Sequence, residues 1–543
     1  METLRFVLAV ILMVAVIMVT NVLFPPARAP VGEQVPADTV AAVEPGRARP
    51  AEPEPVAVPA TVAAETVVVE SPLYRYGFST AGGSVVSAEL LRYRSMTREG
   101  PVQLVAEGLG PLVGYRLRLG SRELDLGALP FRVEGAKEVR LEEGAGPQTL
   151  AFVYADTASG FGIELRYTFR PESYAVGVEG RVEGVGAAAP TLLVELGPTL
   201  AVNEADARED HRALAYVVNS TADGIRSVAL NDVRGERVEE GPLVWVALKN
   251  KYFLAAAVGA ADTLGRYFGG MIARDVGQEH AADLVATLPM GQERRFQFEL
   301  YLGPQEPGQL AAVGRRLQDV NPYGWRIFRP IIQPLAHFIT WALVGMHEVL
   351  GLAYGWVLIL FGVLVRILLW PLNARAMRAQ LKNMELQPRL REIQEKYRND
   401  PERLQREMMR LYKEEGFNPL GGCLPMLIPF PILITLFFVF QNTIEFRGVE
   451  FLWIPDLSRA DPYYILPIIL GGTMLLLQWI SMRATPAPNP QMKMMTWVMP
   501  VVMVVIFLTL ASGLNLYYAA QNLASVPQQI LLTRERLRRQ RGG

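Results

Sequence analysis

The sequence predicts an α-helical polytopic membrane protein with six transmembrane helices and a large all-β sandwich domain held outside the bilayer. Three observations predict it. Apolar runs of membrane length recur at 6–24, 354–372, 420–441, 463–482, 494–512 and 514–533. Between the first two, the pattern changes to period-two alternation broken by Gly and Pro turns. Basic residues then crowd into alternate connections between the runs, as the positive-inside rule requires of a membrane chain.

Composition narrows the function classes. The chain has 543 residues, half of them hydrophobic, and a formal net charge of −1, which argues against a bulk nucleic-acid binder. A single cysteine, Cys423, excludes an intrachain disulfide, and four scattered histidines make a metal site improbable. No G-x-x-x-x-G-K-[ST] loop is present, so nucleotide-driven work is not expected, nor is any cofactor.

Taken in order, 1–24 reads as an N-terminal transmembrane anchor. A cleaved signal is the alternative, because Ala27-Arg28-Ala29 has the form of a cleavage site, although Pro30 would follow the cut. Residues 25–65, rich in Pro, Ala, Val and Glu, form an extended linker. The β domain occupies 66–319. Ile163, Leu165, Tyr167 and Phe169 alternate with polar neighbours, as do Phe296, Phe298, Leu300 and Leu302. His211 and His280 stand isolated in it, and no nucleophile–base constellation appears.

Residues 320–350 read as an interfacial amphipathic helix. Phe328, Ile331, Ile332, Leu335, Phe338, Ile339, Leu343 and Met346 fall at helical spacing, with Arg329, Gln333 and His337 off the stripe. A seventh span is the alternative. Residues 351–372 form the second transmembrane helix. Residues 373–417 form a charged helical hairpin, with Asp400 as a candidate N-cap at its turn. It is either a solvated structural element or a docking surface. Residues 418–533 hold transmembrane helices three to six, and 534–543 form a basic tail. The hairpin, the 483–493 loop and the tail are basic, whereas 443–462 is acidic. That places both termini in the cytosol and the β domain outside.

Arg366 is the chemically informative residue, a charge inside the second transmembrane run. Such a residue costs about 2.5–3.5 kcal/mol on insertion scales and usually serves function. Snorkelling is the alternative, since it lies about 9 Å from the end of the run at ~1.5 Å per residue. The last span supplies what it can face. Asn515, Tyr518, Asn522, Ser525 and Gln529 recur at spacings of three and four, flanked by Tyr517, Gln521 and Gln528. Gln478 adds an amide in the preceding span. Such a stripe points either to a wet cavity or to helix–helix hydrogen bonds. No aspartate or glutamate lies within the other spans.

Four blocks carry a resemblance: Asn418–Pro425 (NPLGGCLP), Asp461–Pro467 (DPYYILP), Ser512–Tyr518 (SGLNLYY) and the arginine of LVRILLWPL. With STAGGSVVSAELLRY and WVALKNKYF in the β domain, the chain resembles the YidC/Oxa/Alb insertase family, in the Gram-negative-type form with a large periplasmic domain. The resemblance implies a multi-pass inner-membrane insertase and chaperone, not an enzyme, that inserts and folds nascent membrane proteins alone or with the Sec translocon. It implies a five-helix insertase core around a hydrophilic groove open to the cytosol. Arg366, Gln478, Tyr517, Tyr518, Gln521, Asn522 and Ser525 then line the groove. Leu427, Phe430, Leu433, Phe437, Met499 and Val502 form a hydrophobic slide for the entering segment. It also implies contacts with membrane lipids and, through hairpin, 483–493 loop and tail, with ribosome and signal recognition receptor. Two positions depart from the family pattern: Pro429 replaces a common glutamine, and Gly362 a common small hydroxyl residue. A small-anion transporter using Arg366 is the competing expectation, weakened by the lack of inverted repeats and of intramembrane carboxylates.

Overall fold

A computed structural model describes residues 64–186, 189–260, 267–324, 328–374, 389–390, 392–398, 400–414, 430–482 and 490–541. The N-terminal run, most of the linker, the Asn418–Pro425 block, Leu427 and Pro429 lie outside them.

The N-terminal part is sheet and the C-terminal part is helix. Among the described residues, nineteen strands, β1 (Thr66–Glu70) to β19 (Arg295–Pro304), form one hydrogen-bonded network. In one layer β5 (Val113–Leu119), β12 (Thr191–Leu196), β18 (Ala282–Pro289) and β17 (Phe268–Asp275) pair in succession. In the other run β16 (Phe253–Gly259), β19, β11 (Ala175–Glu183), β10 (Gly162–Phe169) and β9 (Gln148–Ala155). The long β15 (Glu236–Lys249) belongs to both. Its first half pairs with β17 and its second half with β16, with a register shift between Glu240 and Leu243.

Alternation puts Ile163, Leu165, Tyr167 and Phe169 inside on β10 and Tyr115 and Leu117 inside on β5. These strands are not paired, yet the Tyr167 hydroxyl donates to that of Tyr115 at 3.0 Å. The two layers therefore face each other across one core. On β16 all seven residues are buried, so alternation disappears there. The strand is paired on both edges, with β15 and β19. The histidines that look isolated in the sequence are neighbours: His211 and His280 stack with centroids 4.3 Å apart. That corrects the reading from sequence distance, because α1 (Ala207–Ala213) and the turn before β18 converge in space.

After α2 (Pro307–Val313) the chain enters α3 (Arg329–Leu350) and then α4 (Tyr354–Leu368), turning by 119° between them. The apolar stripe of α3 splits into two faces. Ile332, Ala336, Ile339 and Leu343 are buried, whereas Phe328, Ile331, Phe338 and Trp341 are exposed. Gln333 ties the helix to the β domain, accepting from the Tyr323 backbone at 2.8 Å and donating to Asp319 at 3.3 Å.

In the hairpin, α5 (Pro401–Glu414) starts at Asp400, whose carboxylate accepts from the Arg403 backbone at 3.0 Å. Leu390 and Leu411 are buried together, with Ile393 and Met408 against them.

The remaining helices are α6 (Phe430–Asn442), α7 (Ile465–Met482), α8 (Pro490–Phe507) and α9 (Ser512–Arg541). α9 packs against α4 and α7, and α6 against α3. Among the described residues, α7 alone passes for a span by length and composition. The Asp461 side chain fixes its start, accepting from the Tyr463 and Leu466 backbones at 3.0 and 2.7 Å. Gly362 allows α4 and α9 to close up, since a Cβ there would lie 3.1 Å from the Tyr517 carbonyl oxygen.

Candidate functional site: the Arg366 cavity and the outer junction

Arg366 sits in the last turn of α4, with its guanidinium directed at α9. Its Nη2 donates to Oε1 of Gln528 at 2.7 Å, and Gln528 Nε2 donates to the Trp370 carbonyl at 3.1 Å. The amide is a neutral partner. It satisfies hydrogen bonds and leaves the positive charge uncompensated. Arg366 Nε is buried without an acceptor among the described residues. Beside it lies a cavity of about 360 Å³ walled by Ile359, Val363, Ile367, Trp370, Ala520, Leu523 and Ala524. A guanidinium whose one side-chain partner is a neutral amide thus borders an apolar-walled space.

The polar residues of α9 have separate placements. Tyr517 is fully buried, packed on Phe361 and edge-on to Tyr518 at 5.4 Å. Tyr518 is half-buried and edge-on to Phe507. Asn515 Nδ2 donates to the Phe507 carbonyl at 3.0 Å. Asn522 Nδ2 donates to Thr473 Oγ1 of α7 at 3.5 Å, and the buried Ser525 hydroxyl donates to the Asn522 carbonyl at 2.6 Å. Gln521 and Gln478 are half-buried. The stripe therefore stitches α9 to α7 and α8 through part of its length. The cavity at Arg366 is walled by the neighbouring face of α9.

On the apolar side, Leu433, Phe437 and Val502 are half-buried and Met499 is exposed, while the side chain of Phe430 lies outside the described set. Trp497, Val501 and Val505 of α8, Ile468 and Trp479 of α7, and Leu364 and Leu368 of α4 are also exposed. So many exposed large apolar side chains on three helices are unfavourable in water and natural in lipid.

Sequence reasoning gave Gln528 only a flanking place, and its bond to Arg366 joins residues 162 apart in sequence. It also missed the outer junction between helices and β domain. There the 3-10 turn Ile444–Phe446 follows α6 and puts Ile444 into the β-domain core. Arg447 pairs with Glu204 at 2.6 Å, with side chains only 4% and 10% exposed. It also donates to the Arg94 and Asn203 carbonyls at 2.9 and 3.3 Å, and its guanidinium lies 5.4 Å from the Phe253 ring centre. Nearby, burial pushes the Glu445 carboxyl up to about 7, and its Oε2 has no partner among the described residues.

Comparison with known proteins places both parts. Residues 66–338 match the YidC periplasmic domain family, and residues 345–540 match the family described as 60Kd inner membrane protein. A membrane protein insertase YidC of Chlorobaculum parvum is 31% identical over 489 residues, covering 86% of this chain and 81% of its own. That of Syntrophus aciditrophicus is 30% identical over 517 residues, covering 93% and 91%. A crystal structure described as an active YidC insertase with the first transmembrane domain resolved aligns at 19% identity and a TM-score of 0.35. It covers 86% of this chain and 93% of that one.

Proposed function

This chain belongs to the YidC family of membrane protein insertases, and on that premise we propose that its Arg366 cavity receives the polar flank of an entering client. The protein is a membrane protein insertase with a periplasmic domain, and its role is non-enzymatic. The observation that carries the site reading is the uncompensated guanidinium, held by a neutral amide at the edge of an open space. A client carboxylate or backbone carbonyl arriving there gains a charge-assisted bond without displacing a counter-ion. The client's apolar segment meanwhile exchanges water for lipid and for the exposed face of α8, at about 25 cal/mol per Å² of apolar surface. That gain drives release into the bilayer, with no nucleotide step.

The membrane arrangement is part of the same proposal. Six spans put both termini and the hairpin in the cytosol, and α3 lies along the interface. The turn of 119° between α3 and α4 and the exposed apolar face of α3 support that placement. The groove residues Tyr517, Tyr518, Gln521, Asn522, Ser525 and Gln478 act as a polar scaffold beside the cavity, holding α9 in place. Leu427, Phe430, Leu433, Phe437, Met499 and Val502 form the slide. The hairpin, the 483–493 loop and the tail meet the ribosome, the signal recognition receptor and Sec components.

Reconstituted insertion of matched clients tests the site. Arg366→Gln should slow an acidic-tailed, single-span client about 10-fold, the worth of a charged hydrogen bond. A neutral-tailed client should be affected less. Equal insertion of both clients by the variant and the parent protein would reject the role of Arg366.

A further inference from the structure

A cavity of about 620 Å³ lies away from Arg366, at the seam between the β domain and the outer helix ends. Its β-domain wall includes Arg212, Lys249 and Lys251, and its helix-side wall includes Phe438 and Asn442 at the end of α6 and Arg459 in the following loop. The lining holds these four basic side chains against two acidic ones, Asp206 and Glu209. Four bases against two acids leave the lining with two positive charges in excess. Glu209 is paired with Lys251 at 2.8 Å, and Asp206 accepts from the Arg208 backbone at 2.9 Å.

Lys249 is the unusual member, lying within the WVALKNKYF stretch and only 7% exposed. Among the described residues its one direct bond is a long contact of 3.4 Å to the Asn250 carbonyl. Asp210 acts on it only at a distance, being engaged by the Asn203 and Lys251 backbones and the Asn250 amide. Burial holds the Lys249 ammonium down at about 8. A buried lysine without a direct anionic partner costs stability unless something arrives to pair with it.

We propose that this cleft is a binding site for a phosphate group, supplied by an anionic phospholipid headgroup or by free phosphate. Lys249 is its central ligand, with Arg459 and Arg212 at its mouth. The position favours lipid: α6 and the residues just before α9 end here, on the β-domain side of the helices, where headgroups of the outer leaflet lie. Phe438 offers an apolar wall below. A bound headgroup would bridge the β domain and the helix ends, adding to the Arg447–Glu204 contact.

Titration of the delipidated full-length protein in detergent tests this, with the thermal unfolding midpoint as readout. Short-chain phosphatidylglycerol, phosphatidylcholine and inorganic phosphate serve as probes. Phosphatidylglycerol should raise the midpoint saturably, and Lys249→Met should weaken its half-saturation by about 10-fold or more. Arg459→Gln and Arg212→Gln, at exposed positions, should weaken it in the same direction and carry the test if Lys249→Met fails to fold. Saturation by inorganic phosphate with the same Lys249 dependence, and no added effect of lipid, would assign free phosphate as the ligand. Equal responses to phosphatidylglycerol and phosphatidylcholine with no response to phosphate, or unchanged titrations in all three variants, would overturn the proposal.

Discussion

Replacing Arg447 with methionine should uncouple the β domain from the outer loop while keeping the aliphatic stem beside Phe253. The change removes the 2.6 Å pair with Glu204 and two donors to carbonyls, in a place where both charged side chains are at most 10% exposed. Breaking a pair this deep strands the remaining charge and costs about 3–5 kcal/mol. Burial already raises the Glu204 carboxyl above its usual range, and Arg447 is the main influence opposing that. Without Arg447 the carboxyl is pushed higher still, so the deficit is largest at neutral pH and shrinks as acid protonates Glu204. Urea unfolding of the full chain in detergent, followed through buried Trp245 and half-buried Trp453, measures it. Glu204→Gln and the double variant complete the cycle and should show a coupling of about 1–3 kcal/mol. A loss below about 1 kcal/mol, or strict additivity, would refute the view that this pair clamps the junction.

Three further outcomes are expected. Glu445, held up to about 7 against an ordinary 4.5, contributes stability that is complete below pH 4.5 and lost as pH rises to about 7. Glu445→Gln should flatten that slope, worth up to about 3 kcal/mol, in denaturation midpoints measured across this window. Gly362→Val should cost about 1–3 kcal/mol by forcing α4 from the Tyr517 carbonyl, seen as a lower thermal midpoint in detergent. Asp461→Ala removes acceptors for two backbone donors at the start of α7 and should cost about 1–3 kcal/mol, whereas Asp461→Asn should retain part of that.

The β domain was legible because alternation is local: Ile163, Leu165, Tyr167 and Phe169 announce one buried face in consecutive residues. Where a strand is covered on both sides, as in Phe253–Gly259, the period vanishes and the sequence reads as a plain apolar run. The stripe 328–346 announced a sided helix, but not that one edge packs inward while Phe338 and Trp341 face out. Arg366 stood out as a lone charge in an apolar run. Its partner did not, because Gln528 is one amide among several on α9 and only three-dimensional packing selects it. The junction was least legible. In the sequence, Glu445 and Arg447 are two charges in an acidic loop, and nothing local says that one is buried and the other reaches Glu204. The His211–His280 stack was hidden for the same reason, since neighbours in space are distant in the chain.

The central claim, that a client passes along the Arg366 cavity, is met most directly by site-specific photo-crosslinking to a stalled single-span nascent chain. A photoreactive residue at Leu523, which walls the cavity and is 61% exposed, reports on it, and one at Val238 on the β domain serves as the control. The account predicts strong crosslinks from Leu523 to the segment flanking the client's apolar helix, weakened by Arg366→Gln, and none above background from Val238. Normal insertion with no Leu523 crosslink, or with equal yields at both positions, would contradict it.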